Sequence, residues 1–289
     1  MAIIKVNQIS YKYPLSANFN LKNIEINIEK GKLYTIIGKN GSGKTTLCNL
    51  FRGFIPNFYK GELTGNVFIE GKELSEWGMG DLAKKIGFVF ENPFAQISGV
   101  RDTVFDEIGY GLENLGVEVD NIKSRVQTVL NWLGISDLKD KNPFELSGGQ
   151  KQRVAFASIV AMDPEILVID EPTSQLDPKG TEEIFKIIQL LKEQGKTIIL
   201  VEHKLELIAK YSDYTYVMND GQVVYQGKTR KVLASKKLFQ YGCGVPQYAL
   251  LGLEMRNTFS GYNDIPTTKK EALDLLMKRI ERDKNYEYY

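Results

Sequence analysis

The most constraining feature of this 289-residue sequence is a glycine-rich segment at residues 38–45. It reads Gly-Lys-Asn-Gly-Ser-Gly-Lys-Thr, which fits the pattern of a phosphate-binding loop. An apolar, strand-like run at 33–37 precedes it, and a helical pattern follows it. Glycines let successive backbone N–H groups point at one anion, and the following helix adds its positive end. The segment therefore predicts that the chain binds a nucleoside triphosphate.

Two side chains of this loop have expected tasks. Lys44 should place a positive charge on the β- and γ-phosphates, and the Thr45 hydroxyl should ligate Mg²⁺. The alternative, a glycine-rich turn with a surface lysine, is disfavoured by the strand before the loop and the helix after it. The residues predicted to bind the nucleotide here are Gly38, Lys39, Asn40, Gly41, Ser42, Gly43, Lys44, Thr45 and Thr46.

A second apolar run, at 166–169, ends in Asp170 and Glu171. Ligands of doubly wound sheets bind at the carboxyl ends of the strands, so both carboxylates are expected beside the phosphate loop. We predict that Asp170 holds Mg²⁺ through water and that Glu171 activates the attacking water as a general base. A chance pair of surface carboxylates is the alternative, and the phosphate loop upstream argues against it.

The third motif lies at residues 146–153, which read Leu-Ser-Gly-Gly-Gln-Lys-Gln-Arg. Ser147 followed by Gln150 is typical of a capping box at a helix start. Gly148 and Gly149 leave backbone N–H groups open to an anion, so this is a second candidate phosphate site. One triphosphate does not need two such helix ends from one subunit, which favours a nucleotide held between two subunits. An ordinary capped helix is the alternative.

Composition narrows the class of protein further. With 43% hydrophobic residues, the chain can bury the core of one large α/β domain with an extension. A net charge of +1 gives no indication of a nucleic-acid partner. The apolar runs are too short for a membrane span, the N-terminus lacks a secretion signal, and Cys48 and Cys243 have no metal-ligand spacing. We expect a cytoplasmic protein that reaches a membrane only through another chain.

Hydrophobic periodicity predicts mostly strands, interrupted by one helical region at 101–160 that we interpret as an inserted subdomain. An amphipathic helix is predicted at 182–193, and a charged one at 269–282. Strand patterns stop after about residue 235. The predicted strands lie at 3–9, 21–28, within 61–72, and at 86–90, 166–170, 197–201, 214–218 and 222–225, the last two forming a hairpin.

These motifs, in this order, resemble those of the ATP-binding-cassette (ABC) ATPases over roughly residues 3–230. The resemblance implies an α/β phosphate-loop NTPase fold: a mainly parallel sheet, an antiparallel β-subdomain, an inserted helical subdomain and a C-terminal helical extension. It implies a nucleotide-binding domain at 1–235, a helical subdomain at about 92–162 and an extension at 236–289. The matching pieces are 38–45, 146–153, 166–172, 174–177 and His203.

The resemblance assigns roles to three further residues. Tyr13 would stack on adenine, although an aromatic residue that only packs at a strand end is equally compatible. Asp177, within 174–177, would couple two nucleotide sites across a dimer; the alternative is a solvated turn. His203, the sole histidine, would contact the γ-phosphate and stabilise charge on the transferred group. A lone histidine is usually structural, but its position after a buried strand favours a function.

Glu91 departs from the family pattern, which has a glutamine that senses Mg²⁺ and the γ-phosphate. Glutamate can ligate Mg²⁺, but it adds negative charge near a triphosphate. The repulsion is on the order of a few kcal/mol before the metal neutralises it. Two explanations stay open: Glu91 ligates the metal directly, or the site is tuned for slower or more Mg²⁺-dependent turnover.

Residues 92–96 and 105–114 are similar to those of energy-coupling-factor and cobalt-type ATPases. That similarity implies vitamin or metal-ion import at the cytoplasmic face of the membrane. The implied partners are a second ABC ATPase subunit, a transmembrane coupling protein and a small substrate-binding membrane protein. Residues 201–204 depart from the Thr-His-Asp pattern of this subfamily.

Several alternatives stay open at this stage. The ATPase pair can be two copies of this chain or this chain with a relative. The extension after 235 either holds the pair together or is a solvated regulatory tail. A soluble ABC ATPase without a membrane partner, such as an iron–sulfur assembly ATPase, is the alternative function. The motif at 146–153 disfavours a small-molecule kinase.

Overall fold

A six-stranded sheet and a four-stranded sheet form the framework of the chain. The computed structural model describes residues 2–258 and 264–286, with side chains described for 2–256 and 264–278. The strands in this part of the chain are β1 (Ala2–Lys12), β2 (Leu21–Glu29), β3 (Leu33–Gly38), β4 (Glu62–Ile69), β5 (Lys72–Glu73), β6 (Ile86–Val89), β7 (Ile166–Asp170), β8 (Thr197–Val201), β9 (Tyr214–Asn219) and β10 (Gln222–Lys228).

The larger sheet has the strand order β10-β9-β3-β8-β7-β6. Its strands pair in parallel, except that β10 runs antiparallel to β9. Every residue of β3, β6, β7 and β8 is buried, because other elements cover both faces of this sheet. The parallel sheet and the β9–β10 hairpin were predicted, and both are confirmed.

The smaller sheet is antiparallel, in the order β2-β1-β4-β5. In β2 the side chains of Leu21, Ile24, Ile26 and Ile28 are buried and those between them are not, because only one face packs on the core. The predicted antiparallel β-subdomain is therefore confirmed. The hydroxyl of Tyr216 in β9 donates to a main-chain carbonyl of β2 at 2.8 Å and joins the two sheets.

The predicted helical region at 101–160 forms three helices, α4 to α6. No helix within 2–258 or 264–286 is both long and apolar enough to cross a membrane. The helices described are α1 (Lys44–Phe51), α2 (Phe54–Asn57), α3 (Met79–Lys85), α4 (Val104–Asn114), α5 (Val119–Trp132), α6 (Gly148–Ala161), α7 (Pro178–Glu193), α8 (Leu205–Tyr211), α9 (Thr229–Leu233), α10 (Lys237–Gln240), α11 (Gln247–Thr258) and α12 (Lys269–Tyr286).

The predicted start of the helix at 182–193 is wrong, because α7 begins at Pro178. The Asp177 carboxylate accepts the N–H of Gly180 at 2.7 Å and caps the helix. Proline suits the first helical position, where its missing N–H costs nothing. A segment that reads as a loop in the sequence is therefore the first turn of α7.

The core divides between the two faces of the large sheet. Alternate residues of β7 belong to different hydrophobic clusters: Val168 packs with α1 and the small sheet, whereas Leu167 packs with α4 to α7. The helical region therefore shares one core with the sheet. Its boundaries at about 92–162 stay a prediction.

The first part of the C-terminal extension also packs on the large sheet. Val245, Ala249 and Leu253 cluster with Ile37 of β3 and Val217 of β9. Further on, Arg230 pairs with Glu271 at 2.9 Å and with Asp264 at 3.4 Å, which attaches α12 to α9. Residues 259–263 and 287–289 of the predicted extension lie outside the described residues.

A substitution in α6 tests the shared core. Phe156 is fully buried between helices and sheet, so Phe156→Ala should lower the free energy of unfolding by about 3–5 kcal/mol through the cavity it leaves. Denaturant unfolding measures this loss, with Phe156→Leu as the milder control. A loss below about 1 kcal/mol would contradict this packing of α6.

Candidate functional site

The phosphate loop joins β3 to α1 at the carboxyl edge of the large sheet. Gly43 caps α1 with a φ of 101°, and a Cβ there would lie 2.7 Å from the Asn20 carbonyl oxygen. Only glycine fits this conformation in this space. No side chain caps the N-terminus of α1, so its first N–H groups are available to an anion.

Lys44 holds its ammonium group over the loop. Its side chain is only 6% exposed, and Nζ donates to the carbonyls of Gly38 at 3.1 Å and Lys39 at 3.2 Å. A buried cation needs such partners, because burial without them is costly. The loop itself therefore fixes the charge that the sequence assigns to the phosphates.

Asp170 lies beside the loop, at the end of β7. It is 2% exposed, and burial raises its pKa to about 6, a rise that the hydrogen bond from Thr45 opposes. The negative charges of Glu171 and Glu91 raise this pKa further. Asp170 Oδ1 and Ser42 Oγ are buried and have no hydrogen-bond partner within the described residues.

These oxygens fit a bound magnesium ion. Hydroxyl and carboxylate groups are the ligands that Mg²⁺ prefers, and the exposed Thr45 side chain is close enough to Asp170 to lower the pKa of its carboxyl group. Metal binding would also favour the charged form of Asp170. The predicted metal residues Thr45, Asp170 and Glu91 therefore lie within electrostatic or hydrogen-bonding reach of one another.

Glu171 and His203 form a direct contact, with His203 Nε2 at 2.7 Å from Glu171 Oε1. Glu171 has a φ of 46°, which is strained for a non-glycine residue, and its N–H donates to the Val201 carbonyl at 3.0 Å. Such strain is typical of functional sites. Two of the three predicted catalytic residues, Glu171 and His203, therefore meet at the ends of the adjacent strands β7 and β8, and the third, Glu91, follows β6.

Glu202, which is buried directly before His203, is a site residue that was not predicted from the sequence. Its carboxylate accepts the Thr173 hydroxyl at 2.6 Å and the N–H groups of His203 at 2.8 Å and Lys204 at 3.2 Å. These bonds fix the loop that carries His203. The sequence does contain an indication of this residue, because Glu202 is a lone carboxylate directly after the apolar residues of β8.

Tyr13 lies next to α1 within a group of three tyrosines. Its ring meets those of Tyr11 and Tyr59 edge-on, at centroid distances of 4.9 and 5.9 Å. Its hydroxyl lies 3.5 Å from Thr46 Oγ1. This position is compatible with base stacking and with simple packing, so stacking on adenine stays a prediction.

The capping box at the start of α6 forms as predicted. Ser147 Oγ accepts the N–H of Gln150 at 3.4 Å, and Gln150 Oε1 accepts the N–H of Ser147 at 3.0 Å. Within one chain, however, this helix end does not meet the phosphate loop. It borders a cavity of about 390 Å³ whose lining includes Ser147, Gly149, Gln150, Gln175 and Asp177.

The phosphate loop borders a different cavity, of about 190 Å³. The structure thus brings Glu171, His203, Asp170 and the phosphate loop together, and leaves Ser147–Gln150 and Asp177 at a separate place. The lining of the smaller cavity is Ile37, Gly38, Lys39, Asn40, Glu202, His203, Leu205, Gly242, Cys243 and Gly244.

Comparison with known proteins agrees with this geometry. The family model described as "ABC transporter" matches residues 21–174, which is more than half of the chain. The chain belongs to the ABC transporter ATP-binding protein family. It is 40% identical to a putative ABC transporter ATP-binding protein of Pyrococcus abyssi, over 89% of this chain and 91% of that protein.

Two further relatives are informative about the ABC family branch. The energy-coupling factor transporter ATP-binding protein EcfA2 of Acetivibrio thermocellus is 39% identical, over 96% of this chain and 99% of that protein. The structure of cbiO1 from Clostridium perfringens, described as part of the ABC transporter complex cbiONQ, superposes with a TM-score of 0.70. It has 36% identity and covers 83% of this chain and 93% of that chain.

A second ABC structure, the cassette MJ0796, is a dimer in a post-hydrolysis state bound to ADP and Pi. It matches with a TM-score of 0.70 and 27% identity, over 78% of this chain and 98% of that chain. The family, the fold class and the ATPase activity predicted from the sequence are therefore confirmed. The role of each site residue stays a prediction.

The raised pKa of Asp170 has a measurable consequence for stability. Between its ordinary pKa of 3.8 and about 6, the folded chain holds a proton that the unfolded chain releases. The free energy of unfolding therefore falls as the pH rises through this range. Asp170→Asn removes the cost of burying a charged carboxylate. It should stabilise the metal-free protein by up to about 3 kcal/mol at pH 8, but not at pH 4.

Urea unfolding at both pH values, without nucleotide or Mg²⁺, measures the difference between the two proteins. An equal difference at pH 4 and pH 8 would show that the carboxyl group is not the cause. Nucleotide-dependent Mg²⁺ binding should be weakened in the same variant, because the carboxylate charge that holds the metal is lost.

Proposed function

We propose that this protein is the ATP-hydrolysing motor subunit of a membrane importer of the energy-coupling-factor type. The near full-length similarity to EcfA2 and to cbiO1 of the cbiONQ complex supports this branch. The observation that best supports a partner protein is an exposed apolar patch near Glu91. We call the surface formed by Phe94, Val100 and Phe144 the docking patch.

The docking patch connects the segment after β6 to the helical region. Phe94, Val100 and Phe144 are 54%, 64% and 55% exposed. Lys151 links Phe94 to Phe144, because its Nζ lies 4.5 Å from the centre of the Phe94 ring and donates to the Phe144 carbonyl at 2.8 Å. Gly99, the residue before Val100, lies against the Phe144 ring. Large apolar side chains that cluster on a surface mark an interaction site. A partner that binds there would contact the chain three residues from Glu91.

The nucleotide would be held between two subunits that associate head to tail. The phosphate loop and the capped end of α6 border separate cavities of one chain, so neither encloses a triphosphate alone. In the proposed dimer, Glu171 and His203 of one subunit face Ser147–Gln150 of the other. Both a homodimer and a pair with a related chain are compatible with these motifs.

Within each site, we assign the chemistry to residues of this chain. Lys44 and the loop N–H groups bind the phosphates, and Tyr13 supports the base. Thr45 and Asp170 would hold Mg²⁺, which supplies positive charge that offsets the charge of the phosphates, and the Glu91 carboxylate lies within electrostatic reach of Asp170. Glu171 takes the proton of the attacking water, and His203 orients its carboxylate through their 2.7 Å contact.

Glu91→Gln tests how the acidic residue affects the metal. Removing its charge lowers the repulsion at Asp170 and the phosphates, so half-maximal ATPase activity should need about fivefold less Mg²⁺, equivalent to about 1 kcal/mol. A Mg²⁺ titration of the activity measures this, with the exposed Glu76→Gln as the control. A higher Mg²⁺ requirement would instead identify Glu91 as a direct ligand.

The importer function predicts a membrane partner that depends on the docking patch. Full-length tagged protein purified from gently solubilised membranes should carry a polytopic membrane protein, identified by mass spectrometry. Phe94→Ala combined with Phe144→Ala should reduce that recovery at least tenfold, because the apolar contact is lost. Trp132→Ala, an exposed aromatic residue outside the patch, is the matched control.

Other outcomes separate the alternatives. Recovery of soluble proteins only, with no protein sedimenting with membranes, would favour the soluble ABC ATPase. A second cassette subunit in equal amount would show a heterodimer. A small membrane protein that accompanies the polytopic one would support the energy-coupling-factor type and narrow the transported solute.

A further inference from the structure

A turn of the C-terminal extension lies against the phosphate loop, although the two are far apart in the sequence. We call residues Tyr241–Gly244, which connect α10 to α11, the C-terminal turn. Three of its residues line the cavity of about 190 Å³ that the phosphate loop and the His203 loop also border. The nucleotide site therefore includes a wall from outside the ATPase motifs.

The Lys39 side chain of the phosphate loop occupies the space that a side chain at residue 242 of the turn would need, so such a side chain would displace it. Gly242 has a φ of 65°, and a Cβ there would overlap Cε of Lys39 and lie 2.5 Å from its Nζ. The Lys39 side chain thus extends across the turn at Gly242. The Lys39 side chain is exposed, and its ammonium forms no ion pair with another described residue. Its charge is available to an anion in the cavity.

The charges near Cys243 agree with this placement. Burial raises the pKa of the Cys243 thiol, and the positive charges of Lys44 and Lys39 oppose that rise. The turn is therefore within electrostatic reach of both lysines of the phosphate loop.

The C-terminal turn is fixed to the body of the domain on its other side. Val245 and Ala249 pack with Ile37, the residue directly before Gly38. The N–H of Cys243 donates to the Leu238 carbonyl at 3.0 Å. The N–H of Gln247 donates to Glu206 at 3.2 Å, in the helix that follows His203. A turn held in this way can support a side chain that rests on it.

We propose that the C-terminal turn positions Lys39 as a second phosphate-binding cation beside Lys44. His203 lines the same cavity, so the oxygens of the terminal phosphate are the anion that Lys39 would reach. The affinity of the site for a triphosphate then depends on Gly242, a residue of the extension. This inference needs the ATPase site and not the importer function, so either can fail without the other.

The first test uses two glycines with matched backbones. Gly242→Ala places a methyl group against Lys39, whereas Gly116→Ala has a similar φ of 72° and open space around its Cβ. Both variants carry the same backbone strain. We expect Gly242→Ala to raise the Kd for a fluorescent ATP analogue with Mg²⁺ about tenfold, as for the loss of one charged contact, and Gly116→Ala to leave it unchanged. Equal Kd values in both variants would overturn the proposal.

A double variant shows whether Gly242 acts through Lys39. Lys39→Ala alone should weaken binding about tenfold, and Lys39→Ala with Gly242→Ala should be no weaker than Lys39→Ala alone. Independent effects that multiply to about a hundredfold would mean that Gly242 acts by another route, against the proposal. Thermal unfolding of each variant shows whether it is folded.

The wild-type protein offers a test without substitutions. Of its two cysteines Cys48 is buried, so Cys243, which is half-buried, is the thiol open to a maleimide. Mg²⁺-ATP should slow the labelling of Cys243 several-fold, and more than Mg²⁺-ADP does, because the terminal phosphate lies next to the turn. The protection should not depend on protein concentration, since it arises within one chain. A labelling rate that ATP does not change would contradict the proposal.

Discussion

The register of four parallel strands determines where every reacting group lies. Val201 of β8 pairs with Ile36 of β3 and with Asp170 of β7, and Val89 of β6 pairs with Ile169 of β7. The loops that follow these strands therefore start at one level of the sheet. One of them is the phosphate loop, and the other three contain Glu91, Glu171 and His203. A shift of one strand by one residue would turn its side chains to the other face and separate these groups.

This arrangement concentrates opposite charges in a small volume. Lys44 and the N-terminus of α1 supply positive charge, and Asp170, Glu171 and Glu202 supply negative charge around it. Each group is held differently: loop carbonyls hold Lys44, buried hydrogen bonds hold Glu202, and Asp170 keeps one oxygen without a partner in the described part of the chain. Burial raises the pKa of Asp170 because the groups around it replace only part of the hydration that its carboxylate loses. A cation bound at this position would stabilise the charged form of this carboxylate.

The sequence allowed prediction of those parts of the site that depend on local patterns. The phosphate loop and the capping box of Ser147 and Gln150 are each contained in a few neighbouring residues, so their geometry followed from spacing alone. Asp177 was assigned to a loop because its capping bond to Gly180 is visible only in the folded helix. Glu202 and the contact of Gly242 with Lys39 depend on segments that are distant in sequence. A periodic pattern does not indicate which distant segments contact each other, so neither feature was predicted.

The two segments that lie beside the phosphate-binding edge connect it to different parts of the molecule. Phe94 follows Glu91 by three residues, so a rearrangement at Glu91 would reach the docking patch over a short path. Gly242 contacts Lys39 and is continuous with α11, so a movement of Lys39 reaches the extension. Neither route needs a rearrangement of the sheet, because each is a loop contact at the edge. A packed sheet with two loop contacts at its edge suits the proposed motor, because a bound terminal phosphate would act on both contacts while the core stays packed.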